Sequence, residues 1–97
     1  MILTLLPAAL ADLKAAVAYY VASASDDLAE ALVDEFERAV DLLLKSPHLG
    51  SRFRGAVRRY PLRRFPYSVI YQCTAAELRV VALAHQRRGP GFWRSRI

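Results

Sequence analysis

The hydrophobic pattern of this 97-residue chain changes period once, at Gly50, and that change limits its fold more than any other feature. Before Gly50 apolar residues recur at helical spacing; beyond it they alternate as in strands. Leu10, Leu13, Val17, Tyr20 and Val21 fall at i, i+3, i+7, i+10 and i+11, one stripe of a helix from about Pro7 to Ala24. Pro7 suits the first turn, where its missing N–H is no loss. Ser25 is placed to N-cap a second helix, with Asp26, Asp27 and Glu30 at its positive dipole end. The inner face of that helix reads Leu28, Leu32, Phe36, Ala39, Val40 and Leu43, and Lys45, Pro47 and Gly50 end it. So short a joint predicts an antiparallel helical hairpin. The acids Asp34, Glu35, Glu37 and Asp41 fall mostly off the stripe and predict a solvated face. Pairs such as Asp34 to Arg38 and Asp41 to Lys45 would each add about 0.3 kcal/mol.

The remaining segments read as strands. Ile2–Leu5 is a short β-prone start, and Arg58–Arg64 is a candidate strand that Pro61 pushes toward an edge or a bulge. Tyr67–Cys73 alternates, Thr74–Glu77 is a hairpin loop, and Leu78–His85 is apolar on both faces and so central. In that last strand Leu78, Val80, Ala82 and Ala84 share one face, and Arg79, Val81, Leu83 and His85 the other. The order β-α-α-β-β-β predicts a single α+β domain over residues 1–97, a small, mainly antiparallel sheet of about four strands with the helical hairpin on one face.

With 55% hydrophobic residues the chain has material for one small core and no second domain. The single cysteine, Cys73, excludes an intrachain disulfide, and His48 and His85 beside it make no zinc-type ligand set, so neither metal nor cofactor is expected. A reducing cytoplasm fits. Ala22-Ser23-Ala24 imitates a signal-peptidase site, but no basic region precedes it, and Asp12 and Lys14 break the apolar run, which is also too short for a bilayer.

Charge divides the chain as sharply as periodicity does. Residues 1–45 hold 3 basic and 8 acidic side chains, residues 46–97 hold 11 basic and 1 acidic, and all eleven late cations are arginines. Guanidinium is a permanently charged planar fork suited to phosphate and carboxylate, so this half predicts a grip on something anionic. Paired arginines, Arg58-Arg59 and Arg63-Arg64, sit among strand residues, and an aromatic hook, Phe92-Trp93, lies between Arg87-Arg88 on one side and Arg94 and Arg96 on the other.

Ala11-Asp12-Leu13 with Tyr19-Tyr20, Pro47-His48-Leu49-Gly50, Leu62-Arg63-Arg64-Phe65-Pro66-Tyr67 and the run Ala84-His85-Gln86-Arg87-Arg88-Gly89-Pro90-Gly91-Phe92-Trp93-Arg94 follow one another in an order and spacing that, over nearly the whole chain, resembles toxins of the ParE/RelE superfamily from bacterial type II toxin–antitoxin systems. The last run is more similar to the ParE branch. The resemblance implies a toxin neutralised by an antitoxin encoded beside it. ParE-type members are associated with inhibiting DNA gyrase and trapping its cleaved-DNA complex; RelE-type members cut mRNA in the ribosomal A site.

These two activities ask for different chemistry. Cleavage by 2′-OH attack needs a proton acceptor, a proton donor and cations around the phosphate. His85 would be the acid or base, with Arg63, Arg64 and Arg87 as cations. Several RelE-type members place a Tyr near the C-terminus, whereas Phe92 and Trp93 carry no acid–base group, and that departure favours the other branch. A gyrase inhibitor needs no catalytic residue, only an anchoring surface, for which Arg87, Arg88, Phe92, Trp93 and Arg94 have the composition of a hot spot. Trp93 folding back to cover the sheet is the structural alternative, and the two are compatible. Arg58, Arg59, Arg63 and Arg64 are then the expected contacts for an acidic antitoxin in a heteromeric complex. A plain nucleic-acid binder is disfavoured, since no helix-turn-helix, RNA-recognition or zinc module is present and helix two is acidic.

Overall fold

The reason the first helix packs where it does lies in its smallest side chains. In a computed structural model describing residues 1–89 and 91–97, β1 (Ile2–Leu5) leads into α1 (Pro7–Ser23), which opens on Pro7. Ala9 and Ala16 are buried, with Leu13, Val17 and Tyr20 packed beside them. Leu10 and Val21, both expected on the inner stripe, are 38% and 50% exposed. Alanines let a helix approach the sheet closely, so the contact follows them and turns the two larger residues outward.

Helix α2 (Asp26–Lys45) begins where Ser25 Oγ accepts the Leu28 N–H at 3.1 Å, and it buries Leu32, Phe36, Ala39, Val40 and Leu43 as the pattern predicts. One acid departs from the expected solvated face. Glu35 is buried, and both its oxygens accept the Arg64 N–H, at 3.2 and 3.1 Å. The carboxylate thereby satisfies a backbone donor in the turn after the third strand. The ion pairs among the described residues are Glu77–Arg79 and Asp12–Arg96, so neither expected pair, Asp34–Arg38 nor Asp41–Lys45, forms.

Five strands, not about four, make the sheet: β2 (Ser51–Arg54), β3 (Val57–Pro61), β4 (Tyr67–Cys73) and β5 (Glu77–His85) join β1 in the order β1-β5-β4-β3-β2. β1 runs parallel to β5, and the other neighbours are antiparallel. Strand β2 escaped the pattern because all four of its residues are exposed and leave no alternation to read. Gly55, at φ 55°, turns the chain from β2 into β3, a conformation glycine takes at no steric cost. Pro61 ends β3 opposite Ser68, past Arg59, the last residue β2 reaches, so its missing donor costs no ladder bond. Arg63 and Arg64, expected in that strand, lie in the turn that follows.

Strand β5 carries a bulge that redistributes its faces. Ile70 pairs with Ala82 but Tyr71 with Val80, leaving Val81 without a partner on β4. Leu78, Val80 and Leu83 therefore pack under the helices, while Val81, Ala82 and Ala84 join Val57, Ile70 and Trp93 on the opposite face. The strict alternation expected for this strand, with Ala82 and Ala84 beside Val80, is corrected by that one residue. The strand is central, as its apolar faces suggest. Fully buried Tyr71 fastens the end of α2: its hydroxyl donates to Pro47 O at 2.7 Å and accepts the Gly50 N–H at 2.9 Å. A Cβ on Gly50 would lie 2.5 Å from that hydroxyl oxygen, so glycine is required by close approach. Among the described residues no helix is long and apolar enough to cross a membrane.

Candidate functional site

The functional residues expected from the sequence gather mainly around the carboxyl end of β5, where a short helix, α3 (Gly91–Arg94), folds back over the sheet. β1 pairs with β5 only as far as Val80, and the exposed edge beyond it needs partners. Two side chains supply them. Asp12 Oδ2 accepts the Leu83 N–H at 3.1 Å, and Arg96 Nη1 donates to Val81 O at 3.2 Å. Arg96 also binds both Asp12 oxygens, at 2.6 and 3.1 Å, so the ion pair takes the place of a neighbouring strand.

That anchor sets the position of the aromatic hook. Trp93, 3% exposed, covers the face of the sheet opposite the helices and meets the Phe53 ring at 5.8 Å. It is thus a covering residue with no open ring face. Phe92 is half-buried between two cations, with the Arg88 guanidinium 3.8 Å and that of Arg96 5.2 Å from its ring centre. Arg87, Arg88 and Arg94 remain exposed. Pro90, part of the run that carried the resemblance, lies outside the described residues.

On the helical side of β5, His85 ends a row of rings. Tyr19 and Tyr20 are 5.3 Å apart between centres, Tyr20 and Tyr67 6.5 Å, and Tyr67 and His85 5.1 Å. They line a groove of ≈ 490 Å³ between α1 and the ends of β4 and β5, shared by Asp12 and Arg88. His85 Nδ1 accepts the Arg87 N–H at 3.1 Å, which leaves Nε2 to carry the proton of the neutral ring. Burial raises the Tyr67 hydroxyl above its ordinary 10.0, with a smaller push from Tyr20 and Tyr19; burial and then Tyr19 do the same for Tyr20. These phenols are neutral hydrogen-bonding groups near neutral pH.

The other expected residues are more dispersed. Arg58 is turned inward, donating to His48 O at 3.2 Å and Gly50 O at 2.8 Å, and so clamps the loop after α2. Arg59 lies on the opposite face of the sheet, lining a smaller hollow of ≈ 200 Å³ with Phe53, Arg88 and Trp93. Arg63 lines a third depression with Glu35, Arg38 and Tyr60, and Arg64 extends over the Phe65 ring at 5.6 Å. Of the four residues a nuclease would use, His85 lines the tyrosine groove and Arg63 a different one, while Arg87 borders His85 through its backbone alone. Read from the sequence, Asp12 has no role of its own, Glu35 falls on the solvated face and Arg96 is one of the cations flanking the aromatic hook; the shielded contacts of all three emerge only in the fold. A lone carboxylate in the apolar first helix was the available signal for Asp12, and the arginine excess gave Arg96 no individual mark.

Residues 3–90 match the family described as "ParE toxin of type II toxin-antitoxin system, parDE". A search of curated proteins finds no match. Among solved structures, one titled "Chromosomal ParDE TA system from P. aeruginosa" is similar with a TM-score of 0.77 at 24% identity, over 88% of this chain and 95% of that one. At that identity the likeness establishes a shared fold.

Proposed function

The chain belongs to the ParE toxin family of type II toxin–antitoxin systems, and on that premise we propose that it arrests growth by inhibiting DNA gyrase and is neutralised by an acidic antitoxin. The observation that carries this reading is the exposed arginine cluster, Arg87, Arg88 and Arg94, held on a segment fixed by buried Trp93 and the Asp12–Arg96 pair. A segment ordered before encounter binds without the cost of ordering its backbone on contact. Phe92, half-buried under Arg88, completes that surface, and Trp93 contributes by positioning it. Inhibition by docking asks no proton transfer of this chain. Arg59, Arg63 and Arg64 are exposed and available to acidic antitoxin side chains, whereas Arg58 acts through the loop it clamps. Gyrase is cytoplasmic, and so, in this reading, is the toxin.

One observation favours a second reading, a ribosome-dependent mRNA endoribonuclease: His85 shares its groove with three phenols and Arg88. The experiment that separates the two expresses wild type, paired Arg87→Ala/Arg88→Ala and His85→Gln, and measures growth, supercoiling by purified gyrase, and mRNA integrity. The gyrase reading expects the double arginine variant to lose growth arrest and His85→Gln to keep it. Cleaved A-site codons with normal supercoiling, abolished by His85→Gln, would replace it with the nuclease, since losing a general acid or base costs about 10² to 10⁴ in rate. Antitoxin association should slow steeply with salt, because electrostatic steering is screened.

A further inference from the structure

We propose that the tyrosine groove between α1 and the carboxyl end of β5 binds an unpaired nucleotide strand, its bases on the rings and a phosphate on Arg88. The row Tyr19–Tyr20–Tyr67–His85 runs without a break from the outer face of α1 to the end of β5, each ring set edge to face with the next at 81°, 65° and 88°. Tyr20 and Tyr67 also pack against the core, Tyr20 edge to face with Phe65 at 5.3 Å, so it is the outer end of the row that folding leaves unexplained. Tyr19 is 61% exposed, leaving most of a large ring in water at one end of the groove. Among the described residues none of the three phenol hydroxyls has a protein hydrogen-bond partner, so each is free to meet a base edge, sugar or phosphate. His85 has its Nδ1 engaged by the Arg87 N–H, so Nε2 is the ring nitrogen left for a ligand.

Charge narrows the occupant further. Asp12 lines the groove, but its two oxygens are held by Arg96 and the Leu83 N–H, so the unneutralised charge at this site is the guanidinium of Arg88. Four aromatic rings with a cation at one end match alternating flat bases and phosphates, since every base has a π face and stacking tolerates any sequence. An acidic peptide would use the cation and leave the rings idle; a duplex hides its base faces. The volume, ≈ 490 Å³, lies within the range of small-ligand sites, room for one or two nucleotides. The groove shares Arg88 with the surface proposed for gyrase but does not rest on that reading, because binding a free strand requires neither gyrase nor cleavage.

The test uses the purified full chain and a fluorescein-labelled single-stranded oligodeoxythymidine, followed by anisotropy. Tyr19→Ala, at a position too exposed to disturb the fold, should weaken binding about 5- to 150-fold, the loss of one stacked base, while Tyr19→Phe keeps the ring and the affinity. Arg88→Gln should weaken binding and reduce the slope of log affinity against log salt by about 0.7, one phosphate contact on a single strand. Wild-type affinity for Tyr19→Ala would overturn the site. So would equal binding of a duplex, or an equal loss on Arg54→Gln at the far edge of the sheet, since either marks bulk charge. Tyr19-dependent binding of polyglutamate in preference to the oligonucleotide would overturn it in favour of an acidic polypeptide.

Discussion

Removing the Asp12 carboxylate should loosen both the edge of β5 and the segment that carries the arginine cluster. The side chains of Asp12 and Arg96 are 12% and 18% exposed, so the pair is largely shielded and screening removes little of its energy. Asp12→Ala leaves a guanidinium without its partner and the Leu83 N–H without its acceptor. Breaking a buried pair from one side costs about 3 to 5 kcal/mol, and a stranded donor about 1 kcal/mol more. The remaining solvent contact brings the sum to about 3 to 4 kcal/mol, against about 5 to 15 kcal/mol for a whole domain. For a chain of this length Tm should fall by about 12 to 30 °C. Thermal and urea denaturation of Asp12→Ala, Arg96→Ala and the double variant gives the coupling directly, and it should be about 2 kcal/mol or more. Trp93 fluorescence, from the chain's single tryptophan, should shift to the red if the segment lifts. Additive single effects with unshifted Trp93 emission would refute the account of this pair as an anchor.

Phe36→Ala should cost about 3 to 5 kcal/mol by leaving a cavity beneath α2, and an unchanged Tm would put its ring outside the core. Gly50→Ala should cost about 2 to 4 kcal/mol, because its methyl displaces the Tyr71 ring and strands Pro47 O; denaturation of Gly50→Ala beside Tyr71→Phe, expected at about 1 to 3 kcal/mol, checks whether one contact underlies both. Burial raises the folded Tyr71 hydroxyl above its ordinary 10.0, the Gly50 N–H and Arg58 partly opposing it. The stability it contributes is therefore complete below pH 10 and is lost as pH rises through the folded value, so alkaline unfolding should begin above about pH 10 and be reduced in Tyr71→Phe relative to its own neutral stability.

How much of this was readable in advance depended on whether the signal was local. Helix α2 was legible because its cap, dipole charges and apolar face lie within one continuous stretch. In α1 the largest apolar residues misled, because close packing rewards Ala9 and Ala16 over Leu10 and Val21. Strand β2 has four exposed residues and thus no pattern, and the bulge at Val81 is a property of its pairing with β4, which no single strand displays. Arg63, Arg64, Arg87 and Arg88 were recognisable as exposed cations, whereas Arg58 and Arg59, adjacent and identical, differ only through the face of β3 each occupies. Asp12 and Arg96 stand 84 positions apart, and nothing near either announces the other.

The parallel pairing of β1 with β5 also orders events in time. Thr4 donates to Glu77 at 2.6 Å across 73 steps of sequence, and the backbone partners of β1 all lie between Ala76 and Val80. During synthesis at about 5 to 20 residues per second, the first strand waits about 4 to 15 s for a template on which to pair. The helical hairpin can form early, but its sheet partners on β4 and β5 come later, and the Asp12–Arg96 clasp later still. A nascent chain of this topology therefore cannot close its sheet until β5 has emerged, nor fix the arginine-bearing segment until Arg96 has followed it.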